Sequence, residues 1–389
     1  MKRLIGTLTS TATILGALVI ASPTATATPD AAPPPTPRAM PSEIPSVTTP
    51  GITTGTKVLG FAEVGDKVYA AGTFTAVGGQ VRTGIAAFNR TTGALDPTFN
   101  PTVVGNVYAV TPGPTASTLY IAGTLRSVNG VSLSRVALVD ATTGAVVPGF
   151  KPPSFNDGIN DLKLRGTNLY VGGTFTTAGG QPRLGLASLN ATTGALTSAL
   201  TVGLTEHHNT NSSLAQKAVG AVSLDVTKDG TRMVVVGNFR KANGLDRDQV
   251  VQIDLTGASS SVRADWHTSR YTPLCFNWSV DHYVRAVSFS PDGSYFVVGA
   301  NGGPNPGTLC DTAAKWWTNA SGSNLEPAWI SHSGGDTIWA VAVAEHAVYI
   351  GGHMRWMNNP AGRDSAGAGA VPRSGRWPTT CRSPRPSPS

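Results

Sequence analysis

An all-β fold, a β-propeller, is predicted by a short motif that recurs six times, by the distances between its copies and by a turn that follows most of them. The motif is an apolar run that ends in a small residue. Its copies are centred on Gly72, Gly123, Gly173, Gly237, Gly299 and Gly352, which are 51, 50, 64, 62 and 53 residues apart. A period of this size, built from short apolar runs and turns, is typical of propellers with one four-stranded blade per repeat.

The first 54 residues are predicted to lie outside the propeller. Residues 1–27 combine basic Lys2 and Arg3, a short apolar stretch and small residues at positions 25–27, as in a cleaved secretory signal peptide. The apolar stretch is too short for a spanning helix, and an uncleaved anchor is the alternative. Residues 28–54 are rich in Pro, Ala and Thr and are predicted to form an extended linker. We therefore expect a secreted protein without a membrane span after signal cleavage.

The third repeat shows the strands expected of one blade. An alternation of apolar and polar residues and two glycine-containing turns divide it into segments. The predicted strands are residues 159–164, 168–177, 184–190 and a fourth that runs towards Leu200.

A Thr-Gly turn is the most regular mark of the repeats. Thr-Thr-Gly ends at Gly93, Gly144 and Gly194, and Gly257 and Gly322 stand at similar places in later repeats. An apolar residue follows each turn by six to nine positions: Phe99, Phe150, Leu200, Trp266 and Trp329. Regular aromatics in a repeat predict packing between blades, and a sugar-stacking stripe is the alternative.

Two segments carry a family resemblance. Residues 73–82, Thr-Phe-Thr-Ala-Val-Gly-Gly-Gln-Val-Arg, and residues 174–183, Thr-Phe-Thr-Thr-Ala-Gly-Gly-Gln-Pro-Arg, resemble the delta-60 type repeats of secreted bacterial β-propellers. Residues 284–293 are similar to the first hairpin of WD-type and related, kelch-like propellers. The resemblance covers roughly residues 55–375. It implies an extracellular binding or scaffold protein and supplies no catalytic residues.

The sixth repeat breaks off before its third strand. Residues 376–389 contain four prolines, which cannot donate the N–H groups of a strand ladder. We therefore predict six recognisable four-stranded blades at residues 55–375, the sixth truncated, followed by a disordered Arg/Pro/Ser-rich tail. The composition of that tail suggests a frameshift near Gly375 in a parent of seven blades, and a natural tail is the alternative. An unclosed ring is expected to expose a sheet edge and an apolar blade face.

Composition argues against nucleic acid as a partner. The formal charge is +7, but residues 28–375 hold 24 basic and 22 acidic side chains. A nearly neutral body lacks the clustered Lys and Arg that phosphate backbones require.

One rim of the predicted propeller holds the long connections and most of the histidines. The long connections are residues 203–218, 264–283 and 301–315, and the histidines are His207, His208, His267, His282, His332 and His353. Longer loops on one rim usually mark a ligand face, although they also hold more polar residues of every kind. Cys275 and Cys310 stand at neighbouring strand ends and are predicted to form a disulfide there, with two free buried thiols as the alternative. Cys381 lies in the tail.

Candidate ligand-binding residues follow from this geometry. They combine aromatic faces with hydrogen-bonding groups at or near the starts of inner strands, which suits carbohydrate. They are His207, His208, Tyr271, Trp278, His282, Arg285, Asp336 and Trp339, and Asn160 is a further polar residue near the start of an inner strand. For each one, packing or a surface hydrogen bond is the competing role. The predicted partner is a polysaccharide or an extracellular protein.

Enzyme signatures are weak. No nucleophile elbow, phosphate loop or Cys-x-x-Cys motif occurs, and adjacent His207 and His208 lack the spacing of two ligands on one helical face. The candidates for a glycosidase pair are Asp157, Asp161, Asp281 and Asp336. The sequence thus favours a binding module with no catalytic residue, metal site or cofactor. A carbohydrate-active hydrolase or lyase on the same scaffold is one alternative, and a truncated product without activity is another.

Overall fold

The computed structural model describes residues 49–210, 216–257, 259–275 and 280–373, and every regular element within them is a β-strand. The predicted signal peptide, residues 28–48 of the predicted linker and the predicted tail lie outside the described residues. The strands form successive antiparallel meanders, one for each sequence repeat.

Repeats one to three have closely similar strands. The first repeat contains β1 (Val58–Val64), β2 (Lys67–Gly72), β3 (Ala76–Val77), β4 (Gln80–Val81) and β5 (Ile85–Asn89). The second contains β6 (Val103–Val104), β7 (Val107–Pro112), β8 (Thr118–Gly123), β9 (Ser127–Val128), β10 (Val131–Ser132) and β11 (Val136–Asp140). The third contains β12 (Ile159–Arg165), β13 (Asn168–Gly173), β14 (Thr177–Ala178), β15 (Gln181–Pro182) and β16 (Leu186–Asn190).

Later repeats are longer or shorter variants of this plan. The fourth contains β17 (Leu204–Thr205), β18 (Gly220–Val226), β19 (Arg232–Asn238), β20 (Lys241–Ala242), β21 (Leu245–Asp246), β22 (Val250–Asp254) and β23 (Ser261–Val262). The fifth contains β24 (Val284–Phe289), β25 (Tyr295–Ala300), β26 (Thr312–Trp317) and β27 (Trp329–His332). The sixth contains β28 (Ile338–Val343), β29 (Val348–Gly352), β30 (Trp356–Met357) and β31 (Val371–Pro372).

Each main sheet is a meander whose first strand is innermost. The fourth and fifth repeats form four-stranded sheets, β18-β19-β22-β23 and β24-β25-β26-β27. In the first three repeats a single bridge stands at the fourth position: Phe88 with Leu95, Val139 with Val146, and Leu189 with Leu196. The sixth repeat has the pair β28-β29 and a separate hairpin, β30-β31.

A small sheet or its equivalent precedes each inner strand. In the second and fourth repeats the segment before the inner strand pairs with the hairpin after the second strand, as β6-β9 and β17-β20. A single bridge does the same in the first and third repeats, Ile52 with Val77 and Phe155 with Ala178. In the fifth repeat the Cys275–Cys310 disulfide joins the corresponding segments, with 5.7 Å between the Cα atoms. This bond fits the predicted pairing.

The apolar core is divided into layers that lie between consecutive repeats. Residues of the first and second repeats form one buried cluster, those of the second and third another, and the pattern continues to the fifth and sixth. Inner strands contact one another in the order β1, β7, β12, β18, β24 and β28. Meanders packed face to face around inner strands form a β-propeller, as the sequence predicted.

Hydrogen bonds from side chains to backbone link consecutive repeats. The Tyr69 hydroxyl donates to Ala141 O, and the Tyr120 hydroxyl donates to Ala191 O. Further along, Asp161 Oδ2 accepts from Leu224 N at 2.9 Å and Asp225 Oδ2 accepts from Phe289 N at 2.8 Å. Ser288 Oγ accepts from Val343 N at 3.1 Å. Tyrosines thus link the early repeats, and inner-strand side chains link the later ones.

In five repeats the recurrent glycine is explained by the same close contact. A Cβ at Gly72, Gly123, Gly173, Gly237 or Gly352 would stand 2.0–2.2 Å from a carbonyl oxygen beside the start of the inner strand. In these five repeats a residue without a Cβ is needed for so close an approach. In the fifth repeat Val284 pairs with Ala300, so Ala300 is the structural equivalent and Gly299 lies one position earlier. Aligning the motif on Gly299 was therefore wrong by one residue.

The predicted Thr-Thr-Gly turns are confirmed, and the side chain before each turn also stabilises it. Asn89 Oδ1 accepts hydrogen bonds from the N–H groups of Thr91 and Thr92 at 3.0 and 2.9 Å. Asp140 and Asn190 make the same pair of bonds in their repeats. An Asx side chain that bonds the backbone two residues on favours such a turn. The glycine that follows has positive φ, 71° at Gly93.

The apolar residues after these turns are buried with one exception. Phe99 and Phe150 pack edge to face on Tyr69 and Tyr120, with centroids 5.0 and 5.3 Å apart. Leu200 and Trp266 are also fully buried. Trp329 was expected to pack between blades, but it is 42% exposed because it belongs to the outermost strand, β27.

The sides of the first and sixth repeats that face each other are open. Phe61 on β1 is 68% exposed and Tyr349 on β29 is 45% exposed. Between residues 49 and 373, leaving out the gaps in the description, no strand pair joins the first and sixth repeats. Apolar side chains of the described residues are therefore exposed on both sides.

Candidate functional site

Every inner strand contains a β-bulge at the same place. The pairing register shifts once in each inner strand, one or two residues after its start, and leaves one residue without a partner on the second strand. These six residues are Leu59, Tyr108, Asn160, Val222, Arg285 and Trp339. Bulges often redirect a side chain next to a functional site.

The six bulge residues all line one cavity. It has a volume of about 720 Å³ and is formed by residues of all six inner strands, so it is the central channel of the propeller. Lys217, Asn238 and Thr174, which lie just outside the inner strands, also line it. The volume is within the range of pockets that hold small ligands. The composition of the lining is uneven, because Arg285 and Trp339 stand side by side in the repeat order and are flanked by apolar Val222 and Leu59.

Arg285 is the cation at the centre of the polar side of the channel. Its Nη1 donates to His282 Nε2 at 2.7 Å and its Nη2 donates to His282 O at 3.0 Å. The guanidinium carbon lies 5.2 Å from the centre of the Trp339 ring, within cation–π range. Burial lowers the pKa of Arg285 to about 10, so the group stays charged at neutral pH. Trp339 is 51% exposed and offers a ring face at the channel.

His282 is a buried neutral imidazole. It is 5% exposed, and burial, followed by the charges of Arg285, Lys217 and His208, lowers its pKa to about 2. Because Arg285 donates to Nε2, the proton of the neutral ring is on Nδ1. This Nδ1 is buried and has no hydrogen-bond partner among the residues that the structure describes.

A second polar cluster surrounds Asp281 beside the channel. Asp281 Oδ2 accepts from Asn238 Nδ2 at 2.7 Å and from Lys217 N at 2.6 Å, and lies 3.4 Å from His207 Nδ1. These bonds fix the segment that leads into β18. The Asp281 carboxylate is 3% exposed, so its role in the fold is to hold neighbouring backbone.

His208 is buried and held by two neighbouring side chains. Its Nδ1 lies 2.8 Å from Asp248 Oδ1, and its ring packs edge to face on Tyr283 with 5.2 Å between centroids. Burial raises the pKa of Asp248, against the effect of the His208 hydrogen bond. His208 does not line the channel cavity. The predicted residues His282, Arg285 and Trp339 thus come together at the channel, while His207 and His208 lie beside it.

The other predicted site residues are elsewhere. Tyr271 is fully buried, and its hydroxyl accepts a hydrogen bond from Trp316 Nε1 at 3.1 Å, which makes it a core residue. Asp336 is 3% exposed and bound by Arg355, whose Nη2 lies 2.8 Å from Oδ1. Neither residue lines the channel cavity. Trp278 lies outside the described residues.

The aspartates considered as a glycosidase pair have structural partners. Asp161 lines the channel, but its Oδ2 accepts from Ser223 Oγ and Leu224 N and its Oδ1 accepts from Leu162 N. Burial raises the pKa of Asp161. Asp157 accepts from the N–H of Gly158, at the start of the same repeat. In these contacts each carboxylate fixes backbone, and Asp161 is the one carboxylate among the described residues that line the channel.

Within the ranges described, no group of three or more His, Cys, Asp or Glu side chains is arranged to hold a metal ion. The same ranges contain no helix with the length and apolar character needed to span a bilayer.

Sequence reasoning missed half of the bulge ring. Leu59, Tyr108 and Val222 were not selected, because a one-residue bulge leaves no mark in an apolar run. Lys217 and Asn238 were also missed. The available signal was positional: each bulge residue follows the strand start by one or two positions in every repeat.

Comparison with known proteins agrees with this architecture. Residues 66–99 match the model of a family described as a domain of unknown function (DUF5122) beta-propeller. The match begins at the β1–β2 turn and ends at Phe99. This chain is a β-propeller protein. Its fold supports a binding or scaffold role in general terms.

Three solved structures are similar to the chain at low identity. Hydrazine synthase from Kuenenia stuttgartiensis is 14% identical, with 79% of each chain covered and a TM-score of 0.47. The Cps50 (Swd1) beta-propeller domain of Myceliophteria thermophila is 11% identical over 76% of this chain and 80% of its own, with a TM-score of 0.44. The RRP9 WD40 repeats are 12% identical over 80% of this chain and 79% of their own, with a TM-score of 0.49. At these identities no property of the three proteins transfers to this chain. No curated protein is significantly similar to it in sequence.

Proposed function

We propose that this protein is a secreted, non-catalytic binding module that recognises a polysaccharide at the mouth of its central channel. The observation that carries the proposal is the bulge ring, which brings an exposed tryptophan, an arginine and an asparagine to one cavity of about 720 Å³. Flat aromatic faces beside hydrogen-bonding side chains suit sugar rings. Export is expected from the amino-terminal sequence and agrees with a ligand outside the cell.

A binding role is favoured over hydrolysis because Asp161, the only carboxylate among the described residues that line the channel, is already engaged. It bonds to the β18 backbone, and Asp281 Oδ2 beside the channel accepts from Asn238 and Lys217. A retaining or inverting glycosidase needs two carboxyl groups free to face the scissile bond. The hydrolase alternative predicts reducing ends released from a bound polysaccharide, whereas the binding module leaves the polymer intact.

Trp339 provides the direct test. Trp339→Ala should weaken binding of the full chain to a retained glycan about tenfold, which corresponds to about 1.4 kcal/mol of lost stacking. Trp329→Ala is the matched control, because Trp329 is similarly exposed but lies on the outermost strand β27. Affinity gel electrophoresis against a panel of neutral and acidic polysaccharides measures both variants. Equal loss in the two variants, or no retention by any glycan, would contradict the proposal.

A further inference from the structure

Arg285 carries a charge that nothing in the described structure neutralises. Two of its five N–H donors bond to His282, and Nε is buried without a partner. Across the described ranges no carboxylate lies within 4.0 Å of its guanidinium, although other partly buried cations have such a neighbour. Buried charges in proteins are normally paired, because an unpaired one loses its hydration without compensation.

The neighbouring polar groups strengthen this imbalance. Lys217 also lines the cavity, and its ammonium forms no ion pair with a described carboxylate. Lys163 differs, because its Nζ lies 3.9 Å from Asp225 Oδ1 and close to Asp161. Arg285 and Lys217 thus place two positive charges at the channel, and neither forms an ion pair with a described carboxylate.

His282 adds no negative charge beside Arg285. It is a neutral ring whose Nδ1 is buried and has no acceptor among the described residues. A cavity wall whose described residues leave its cations without a carboxylate partner is complementary to an anion. Arg is suited to planar carboxylates, since its fork of N–H groups can bond both oxygens.

We propose that the ligand is an acidic glycan and that Arg285, assisted by Lys217, binds the carboxylate of a uronic acid residue at the channel. This inference rests on the proposed function and names the class of polysaccharide. Arg285 and Trp339 are in contact, so one uronate residue can place its ring on the indole and its carboxylate on the guanidinium.

The test compares the same oligosaccharide with its carboxyl groups charged and with them neutralised as methyl esters. Polygalacturonate oligosaccharides and the same oligosaccharides as methyl esters are titrated into the full chain by calorimetry, at a fixed salt concentration. We expect the free acid to bind at least about tenfold more tightly, because charge-assisted hydrogen bonds contribute about 1.5–3 kcal/mol. Dextran serves as the neutral glycan and dextran sulfate as the sulfated one.

Two pairs of variants locate the effect. Arg285→Gln should weaken binding of the free acid about 10- to 100-fold and Arg285→Lys less, and both should weaken binding of the methyl ester by a smaller factor than that of the acid. Lys217→Gln should weaken it about threefold. Lys228→Gln removes the same charge from the exposed turn between β18 and β19 and should have no effect. If Arg285→Gln does not fold, Lys217→Gln and Lys228→Gln still test the carboxylate inference. Both lysines are exposed, so neither substitution should prevent folding.

The outcomes separate this inference from the function on which it rests. Equal affinity for acid and ester, or equal effects of the two lysine substitutions, overturns the carboxylate inference and leaves glycan binding standing. Binding of dextran sulfate without polygalacturonate also overturns it. If none of the glycans binds, the proposed function itself fails.

Discussion

The buried imidazole of His282 predicts a specific dependence of stability on pH. The side chain is 5% exposed and lies beside the positive charges of Arg285 and Lys217, and its pKa is lowered from 6.5 to about 2. The unfolded chain therefore takes up a proton at His282 as the pH falls through 6.5, whereas the folded protein does not. The free energy of unfolding therefore falls progressively as the pH drops below 6.5, because only the unfolded chain gains this proton.

The size of the effect follows from the pKa difference. Each pH unit below 6.5 costs about 1.4 kcal/mol, so lowering the pH from 7.5 to 4.5 should remove about 2.7 kcal/mol through His282 alone. Three buried carboxyls, those of Asp161, Asp248 and Asp311, have raised pKa values and act in the opposite direction. The pH dependence of the wild-type stability is therefore the sum of the opposing contributions of His282 and these three carboxyls.

A difference measurement isolates the histidine. Urea unfolding of the wild type and of His282→Gln is followed by tryptophan fluorescence at pH 7.5, 6.0 and 4.5. Glutamine has no charge to gain, so the difference in free energy of unfolding between the two proteins should shift by about 2.7 kcal/mol in favour of the variant at pH 4.5. His346→Gln is the control, because His346 is exposed in the turn between β28 and β29. A parallel pair of profiles would show that His282 is charged in the folded protein and would refute the argument.

Two further predictions concern the repeats. Gly123→Ala should lower the free energy of unfolding by about 2–3 kcal/mol, because the new Cβ would meet a backbone oxygen at 2.1 Å; Gly149→Ala, with no atom within 4 Å of the new group, should change it little in the same thermal and urea measurements. Tyr120→Phe should cost about 1–2 kcal/mol by leaving a buried carbonyl unpaired between the second and third repeats. Exposed Tyr349→Phe is its control, and equal stability of the two phenylalanine variants would contradict the role given to the Tyr120 hydroxyl.

Features that repeat along the chain could be predicted from sequence. The Thr-Thr-Gly turns and the anchor glycine are set by local sterics and by side chains two or three residues away, so they recur wherever the motif recurs. The Cys275–Cys310 pairing followed from the same periodicity, because two strand ends meet in every repeat.

Features that depend on register or on a second repeat could not be predicted. The fifth motif was aligned on Gly299 because its sequence matches there, yet the bulge pairs Val284 with Ala300. Tyr271 looked like a rim aromatic, but the path of its loop buries it against Trp316. The roles of Asp161 and Asp225 depend on backbone N–H groups more than sixty residues away, which a linear pattern does not reveal.

The missing contact between the first and sixth repeats has a mechanical consequence. In the part of the chain that the structure covers, no hydrogen bond crosses between them, so the separation of Leu59 and Trp339 is fixed only by five packed interfaces in series. Small rotations at each interface add up at the two ends, because every repeat is restrained only by its neighbours in the chain. The arc is therefore most compliant across its opening. A larger side chain at a buried position of one of these layers that does not line the channel would therefore change the width of the channel mouth from a distance.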